Sequence, residues 1–314
     1  MARKIADTKN MTHEEWIELR KSSIGGSDAA TTIGMNSYSS LLTLYADKKG
    51  LSKEKETSEA MRLGTDLEAY VAERFCEKEN KKVRNDFAMY EDDEFDFMTA
   101  NIDRKVVGEN AGLECKTMGS FNGYDLDAGD IPSHYFCQVQ HYMMVMGFDH
   151  MYLAILVLQR GLYTFKIERD DEFINQLREA EFRFWKDYVE KDHAPEPDGS
   201  EAAMDTLKEI YPDAQETSIM IPGLDSLVRD YKAYKNMESE YKEKAEKAKG
   251  IICARLGSNE EGIGSEFSCT WKNQSRASLD INRLKAEMPD VYAKYSKVTV
   301  SRTFRTRKNK KKGA

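Results

Sequence analysis

The heptapeptide Ala194-Pro-Glu-Pro-Asp-Gly-Ser200 separates two stretches of chain whose hydrophobic patterns differ in kind. Two prolines, a glycine and acidic residues suit neither a helix interior nor a central strand, so the segment is predicted to be a linker. Before it, apolar residues alternate between the 3.6-residue helical period and the two-residue strand period. Beyond it, Leu227, Tyr231, Tyr234, Tyr241, Ala245, Ala248 and Ile252 recur at helical spacing, which predicts one long amphipathic helix. The expected layout is a first domain over residues 1–193, a linker over 194–200, an accessory domain over 201–304, and a basic tail over 305–314.

Within the first domain, Thr12 and Glu15 form a capping box at the start of a helix carrying Trp16, Leu19 and Arg20. Gly25-Gly26 makes a tight turn and Ser27 stands where the next helix begins. Helices are predicted over 40–49, stopped by Gly50, and over 59–78. The latter buries Met61, Leu67, Val71 and Phe75, with Glu68 one position off that stripe. Strands follow at 82–90, where Val83, Phe87 and Met89 alternate, then at 95–103 and 112–118. A helix over 133–146, strands over 152–158 and 163–168 joined by Arg160-Gly161, and a helix over 172–191 complete the unit. Helix, three strands, helix, two strands, helix describes an α/β fold: a mixed sheet flanked by helices. The accessory region reads as α+β, with a strand near 267–271, short helices over 279–295 and a strand over 298–304.

Composition narrows the chemistry. Hydrophobic residues make up 40% and charged residues 32%, which places the chain among folded, charge-rich proteins. No apolar run approaches the ~20 residues of a membrane span, and the N-terminus lacks the apolar stretch of a signal peptide, so a cytoplasmic location is expected. The five cysteines, at 76, 115, 137, 253 and 269, form no CxxC pair, and the histidines no HExxH motif. A metal in this chain must therefore find oxygen ligands, which favours magnesium or manganese. The net charge of −8 argues weakly against a nucleic-acid partner, but distribution matters more than the sum, and the last residues are strongly basic.

The chemistry-bearing feature is Asp103, followed eleven residues later by Glu114-Cys115-Lys116. Side chains alternate along a strand, so Glu114 and Lys116 face one side and Cys115 the other. A turn over 104–111 would return the chain so that Asp103 meets Glu114. Two carboxylates and a lysine at one sheet edge suit phosphodiester hydrolysis: the carboxylates hold a divalent cation and the ammonium orients water or steadies developing charge. The Cys115 carbonyl is a further hard-oxygen ligand for such a cation. An exposed Glu–Lys ion pair would give the same triplet, but the apolar neighbours Ala111, Leu113 and Cys115 indicate a half-buried strand.

Three other features are less specific. Glu68 fits a helix-surface glutamate as well as a site residue. Gln138 and Tyr142, four apart, share a helix face, which suits either a polar contact or a core boundary. The Gly25-Gly26-Ser27 turn offers free N–H groups at a helix start, with Arg20 nearby, and fits an anion site or an ordinary cap.

The stretches Trp16-Ile-Glu-Leu-Arg20, Ile24-Gly-Gly-Ser-Asp-Ala-Ala30, Leu63-Gly-Thr-Asp-Leu-Glu68, Asn101-Ile-Asp103, Leu113-Glu-Cys-Lys-Thr117 and Gln138-Val-Gln-His-Tyr142 occur in an order and spacing that resemble the YqaJ-like viral recombinase family. That family is related to the phage lambda exonuclease within the PD-(D/E)xK nuclease superfamily. The resemblance spans about residues 12 to 190 and implies a restriction-endonuclease-like core. It implies that Asp103, Glu114 and the Cys115 carbonyl bind Mg2+ or Mn2+, that Lys116 positions the attacking water, that Glu68 completes the metal and water network, and that Gln138 braces Lys116. Arg20 and Ser27 match positions that grip a 5′-terminal phosphate, with Tyr142 beside the substrate. The implied activity is 5′ to 3′ digestion of one strand of linear duplex DNA. The resulting 3′ overhangs would serve a single-strand annealing protein, and the implied assembly is a homo-oligomer, a trimer. Ile102 stands where the superfamily often has proline, and residues 200–314 have no counterpart in the compact lambda-type enzyme. A structure- or sequence-specific endonuclease on the same core, or a non-catalytic DNA-binding scaffold, are the competing expectations.

Overall fold

A computed structural model describes residues 2–53, 57–120, 124–298 and 301–308. Met1–Pro212 and Asp213–Ala314 form two compact units. In the first, β1 (Arg3–Asp7), α1 (His13–Lys21), β2 (Ile24–Gly25), α2 (Gly26–Thr32), α3 (Leu41–Lys48) and α4 (Glu59–Glu79) lead into β3 (Val83–Asn85), β4 (Ala88–Glu91), β5 (Met98–Ala100), β6 (Arg104–Val106) and β7 (Ala111–Met118). Then come α5 (Ser133–Met146), β8 (His150–Val157), β9 (Gly161–Glu168), α6 (Asp171–Arg183), a π-helical stretch over Phe184–Val189, and α7 (Glu201–Ile210). The fold is mixed α/β.

The main sheet runs β3-β6-β7-β8-β9. Its central pair, β7 and β8, is parallel, with Glu114 opposite Leu153 and Lys116 opposite Ile155; the remaining pairs are antiparallel. Joining two parallel neighbours requires a crossover, and α5 supplies it. Helices cover both faces. On β8, Met151, Leu153, Ile155 and Val157 pack with Val139 and Met143 of α5, while Tyr152 and Ala154 pack with Val71, Ala72 and Phe75 of α4. This alternation leaves β8 without a wet face beyond His150, which is why the strand is rich in apolar residues from Met151 onward. A second sheet, β1-β4-β5-β2, stands alongside.

Thr12 caps α1 with the full capping box to Glu15. Ser40 and Ser58 cap α3 and α4 through their side chains. Several boundaries differ from the sequence reading. The predicted strand 82–90 is two strands in different sheets, because the chain bends at Asp86-Phe87: β3 joins β6, and β4 joins β1 and β5. Phe87 falls in that bend and is exposed, and so is Met61 on α4, at 58%. The predicted strand 95–103 is regular only over Met98–Ala100, and the expected turn over 104–111 contains β6. Asp103 thus sits at the bend between strands. The helix α7 falls beyond the expected linker yet belongs to the first unit, where Thr206 and Thr43 hydroxyls bond at 2.8 Å in a buried contact. The boundary therefore lies one helix later than the Pro-rich segment.

The second unit contains α8 (Leu224–Leu256), the hairpin β10 (Glu261–Ile263) and β11 (Ser268–Thr270), α9 (Ile281–Glu287) and α10 (Pro289–Tyr295). Of α8's 33 residues only Leu256 is buried. The expected strand over 298–304 is not formed by Val298 or by residues 301–304; residues 299–300, like residues 309–314 of the basic tail, lie outside the described residues. Among the described residues no helix is long and apolar enough to cross a membrane.

Candidate active site

The site forms where β6 parts from β7. Backbone pairing between them includes Arg104 with Leu113 and Lys105 with Gly112. One position further along β7 than Glu114, the Cys115 N–H has no strand partner on that side, and the Asp103 carboxylate takes it, Oδ2 accepting at 2.7 Å. A side chain thereby replaces a ladder carbonyl, which ties Asp103 to the strand carrying Glu114 and Lys116.

Strand alternation places those two residues as expected. Ala111 and Leu113 pack toward α4 and Cys115 lies against the same cluster, so Glu114 and Lys116 face α5. Lys116 Nζ contacts Glu114 Oε1 at 2.7 Å. Gln138 of α5 donates to that same oxygen at 2.7 Å and to the Tyr142 hydroxyl at 3.0 Å. The resemblance implies that Gln138 braces Lys116; in the structure the two side chains meet on one atom, Glu114 Oε1. The second carboxylate oxygen, Glu114 Oε2, is buried with no hydrogen-bond partner among the described residues, and the residue is only 3% exposed. A buried carboxylate oxygen left unsatisfied costs on the order of 1–3 kcal/mol or more, so something is expected to meet it.

Electrostatics point the same way. Burial above all, then the charges of Glu114 and Glu68, push the Asp103 pKa well above the usual carboxylate range, against the pull of Lys116 and the Cys115 N–H. Burial also raises Glu114, with Lys116 opposing. Burial disfavours the Lys116 ammonium, but Glu114 and Asp103 outweigh it and its pKa rises. With both carboxylates facing it, Lys116 is held as a cation. Burial drives the Cys115 thiol far upward, leaving it an inert packing group on the opposite face.

Glu68 stands on α4 near this cluster, and its carboxylate is held by Arg104 at 2.6 Å. Arg104 also donates to the Asp103 carbonyl at 2.7 Å. Arg104 is absent from the sequence reading, although adjacency to Asp103 was a signal for it. Tyr135 was missed as well: its ring lies 5.3 Å beneath Lys116 Nζ, one turn before Gln138 on the same face of α5. Among the described residues no three His, Cys, Asp or Glu side chains converge as a ready-made chelate. A cation here would draw on two carboxylates, a backbone carbonyl and water, a set that suits magnesium, which keeps several waters and needs one or two carboxylates.

The remaining candidates occupy a neighbouring cluster. Arg20 stacks on Trp16 at 4.7 Å and donates to Ser27 Oγ at 2.6 Å and to Asp28 at 3.1 Å. Asp28 also accepts from Lys48 at 2.6 Å and from the Gly25 N–H at 3.1 Å. Part of the expected anion-binding capacity is thus met by the chain's own carboxylate, and one net positive charge remains. Burial works against ionised Asp28, but Lys48 and Arg20 overcome it and hold its pKa down at about 2. Tyr142, expected beside the substrate, is 6% exposed and packs under Gly26. A Cβ on Gly26 would come within 2.5 Å of its ring. Its hydroxyl oxygen accepts from Gln138 Nε2 at 3.0 Å, which leaves its own O–H as a donor.

The family model described as the YqaJ-like viral recombinase domain matches residues 15–149, a span that includes every residue of the site and of the Arg20 cluster. The protein YqaJ of Bacillus subtilis (strain 168) is 35% identical over 305 residues, covering 96% of each chain. Among solved structures, the alkaline exonuclease LHK-Exo of Laribacter hongkongensis aligns over 57% of this chain and 93% of its own at 18% identity, with a TM-score of 0.48. A phage-related exonuclease of Haemophilus somnus 129PT aligns over 54% of this chain and 95% of its own at 14% identity, with a TM-score of 0.45. Near-complete alignment with YqaJ at that identity establishes that the chain belongs to the YqaJ-like viral recombinase family.

Proposed function

We propose that this protein is a metal-dependent DNA exonuclease that hydrolyses one strand of linear duplex DNA from the 5′ end and leaves 3′ overhangs. The observation that carries the reading is the buried Glu114 Oε2, unpartnered among the described residues and set on the strand whose Cys115 N–H is bound by Asp103. Within an extended strand the N–H and C=O of one residue point to the same side, so the Cys115 carbonyl faces the Asp103 side too. Asp103, Glu114 and that carbonyl would hold Mg2+ or Mn2+. When bound, the cation polarises a phosphate oxygen and lowers the pKa of a coordinated water.

The chain's own groups do the rest. Lys116, whose ammonium contacts Glu114, orients the attacking water and stabilises negative charge growing on the phosphate. Gln138 keeps Glu114 in the rotamer that serves both Lys116 and the cation, with Tyr142 fixing Gln138 in turn. Glu68, held by Arg104, supplies a further acceptor for water at the edge of the site. Arg20, pre-set by Trp16 and Asp28, grips a 5′-terminal phosphate together with Ser27. The 3′ overhangs would pass to a single-strand annealing protein, and the family reading makes the enzyme a homo-oligomer.

The test is digestion of end-labelled linear duplex with Mg2+, with each 5′ end phosphorylated or not, beside Lys116→Ala. Shortening of the 5′-phosphorylated strand by the wild type alone is the expected result. Linear duplex left intact with both Mg2+ and Mn2+ defeats the nuclease reading, and cleavage of a covalently closed circle replaces it with an endonuclease.

A further inference from the structure

Charge is divided unevenly along this chain. Residues 1–212 contain 26 Lys and Arg against 41 Asp and Glu, a net −15, whereas residues 213–314 contain 21 against 14, a net +7. The unit with the candidate active site would, as a whole, repel a polyanion. The second unit would attract one, with a reach of about a Debye length at physiological salt.

The second unit also displays aromatic rings where a folded protein ordinarily hides them. On α8, Tyr231 is 44% exposed and Tyr234, one turn on, is 68% exposed. Phe304, from the segment after α10, meets Tyr231 edge to face at 5.3 Å and is itself 70% exposed. Arg305 and Arg307 follow directly and are exposed. Rings and guanidinium groups therefore lie together along the chain. A ring needs a flat apolar face to cover it, and an arginine needs an anion. A nucleic-acid single strand offers both, because its bases are unstacked and its phosphates bare. A duplex hides its base faces and would leave the rings uncovered.

We infer that the second unit is a single-stranded DNA-binding module in which Tyr231, Tyr234 and Phe304 form a stacking platform and Arg305 and Arg307 bind the backbone. The inference rests on the nuclease reading for the identity of the polyanion, since such an enzyme generates single strands, but its test requires no hydrolysis.

The full chain, kept in EDTA, is titrated against fluorescein-labelled dT30 and against a 30-base-pair duplex, with anisotropy as the readout. Tyr234→Ala with Phe304→Ala is expected to weaken dT30 binding about tenfold or more, the loss of one to two stacked bases, and to leave duplex binding nearly unchanged. Arg305→Ala with Arg307→Ala should weaken dT30 and reduce the slope of log affinity against log salt by about one to two. Both pairs are exposed, and unchanged melting temperatures establish that the variants fold. The inference falls if both double variants bind dT30 like the wild type, or if the aromatic pair lowers duplex and dT30 binding equally. It falls also if polyglutamate displaces dT30 at equal charge concentration, which would indicate an acidic protein as the partner. Failure of Mg2+-dependent digestion would remove the nuclease reading and leave these binding results standing.

Discussion

The Asp103 carboxylate acts as a piece of β-sheet: its Oδ2 accepts the Cys115 N–H at 2.7 Å where β6 stops serving β7. This structural duty needs no charge, whereas the proposed cation-binding one does, so the two are separable. Asp103→Asn keeps an acceptor for the N–H and removes the charge that Glu114 and Glu68 oppose. In EDTA its stability should equal or exceed that of the wild type, while hydrolysis falls by at least about a thousandfold if the carboxylate serves as proposed. Asp103→Ala strands the N–H and should cost about 1–3 kcal/mol as well. Thermal melts paired with end-labelled digestion check both; an active Asn variant would exclude the charged role.

Lys116 and Glu114 share one oxygen contact in a nearly dry setting. Lys116→Met leaves Glu114 as a buried carboxylate without its cation, which should destabilise the metal-free protein by roughly 3–5 kcal/mol. Added Mg2+ should then raise the melting temperature more in the variant than in the wild type, because the metal becomes the carboxylate's only counter-charge. Equal Mg2+ shifts in both proteins would show that the cation binds away from Glu114.

Gly26 is held to its identity by Tyr142. A Cβ there would lie 2.5 Å from the ring and 3.1 Å from Gln138, so Gly26→Ala must displace the two residues that steady Glu114. The expected loss is about 1–3 kcal/mol from overpacking, together with a drop in kcat larger than any change in KM. Tyr142→Leu combined with Gly26→Ala should recover part of the stability and little of the activity, since the smaller side chain makes room but cannot bond Gln138. Full activity in Gly26→Ala would show that Gln138 does not position the site.

Asp28 sets an acid limit. Its pKa in the folded protein, about 2, lies below the ordinary 3.8. A depressed carboxylate contributes stability that is fully present above pH 4 and disappears as pH falls toward 2. The contribution is on the order of 2 kcal/mol. Lys48 offsets some of this, because its own burial lowers its pKa in spite of Asp28. Asp28→Asn should therefore lower stability at pH 7 and flatten the stability profile between pH 4 and 2. Urea titrations across that range measure both effects, and identical slopes for variant and wild type would refute the assignment.

Much of this protein was legible in its residues where the determinant is local. The capping box of Thr12 and Glu15 and the apolar run of β8 both act within a few positions of chain. The shared face of Glu114 and Lys116 follows from strand alternation alone. Where the sequence reading missed, a distant contact had decided. Residues 82–90 alternate as one strand would, but their two halves are claimed by different sheets. Met61 keeps helical spacing with Val71 and Phe75 yet lies exposed on α4.

What the sequence by itself determined is most of the first unit's helices and the orientation of side chains along its elements, because backbone periodicity is a property of consecutive residues. What only the tertiary structure decided is partnership: Gln138 bonding Glu114, Arg104 holding Glu68, Lys48 reaching Asp28, α7 joining the first unit. Each of these pairs groups from separate elements or from across a strand boundary. The free energy of such a contact depends on burial and distance in space, and those quantities exist only once the sheet has been assembled between its helices.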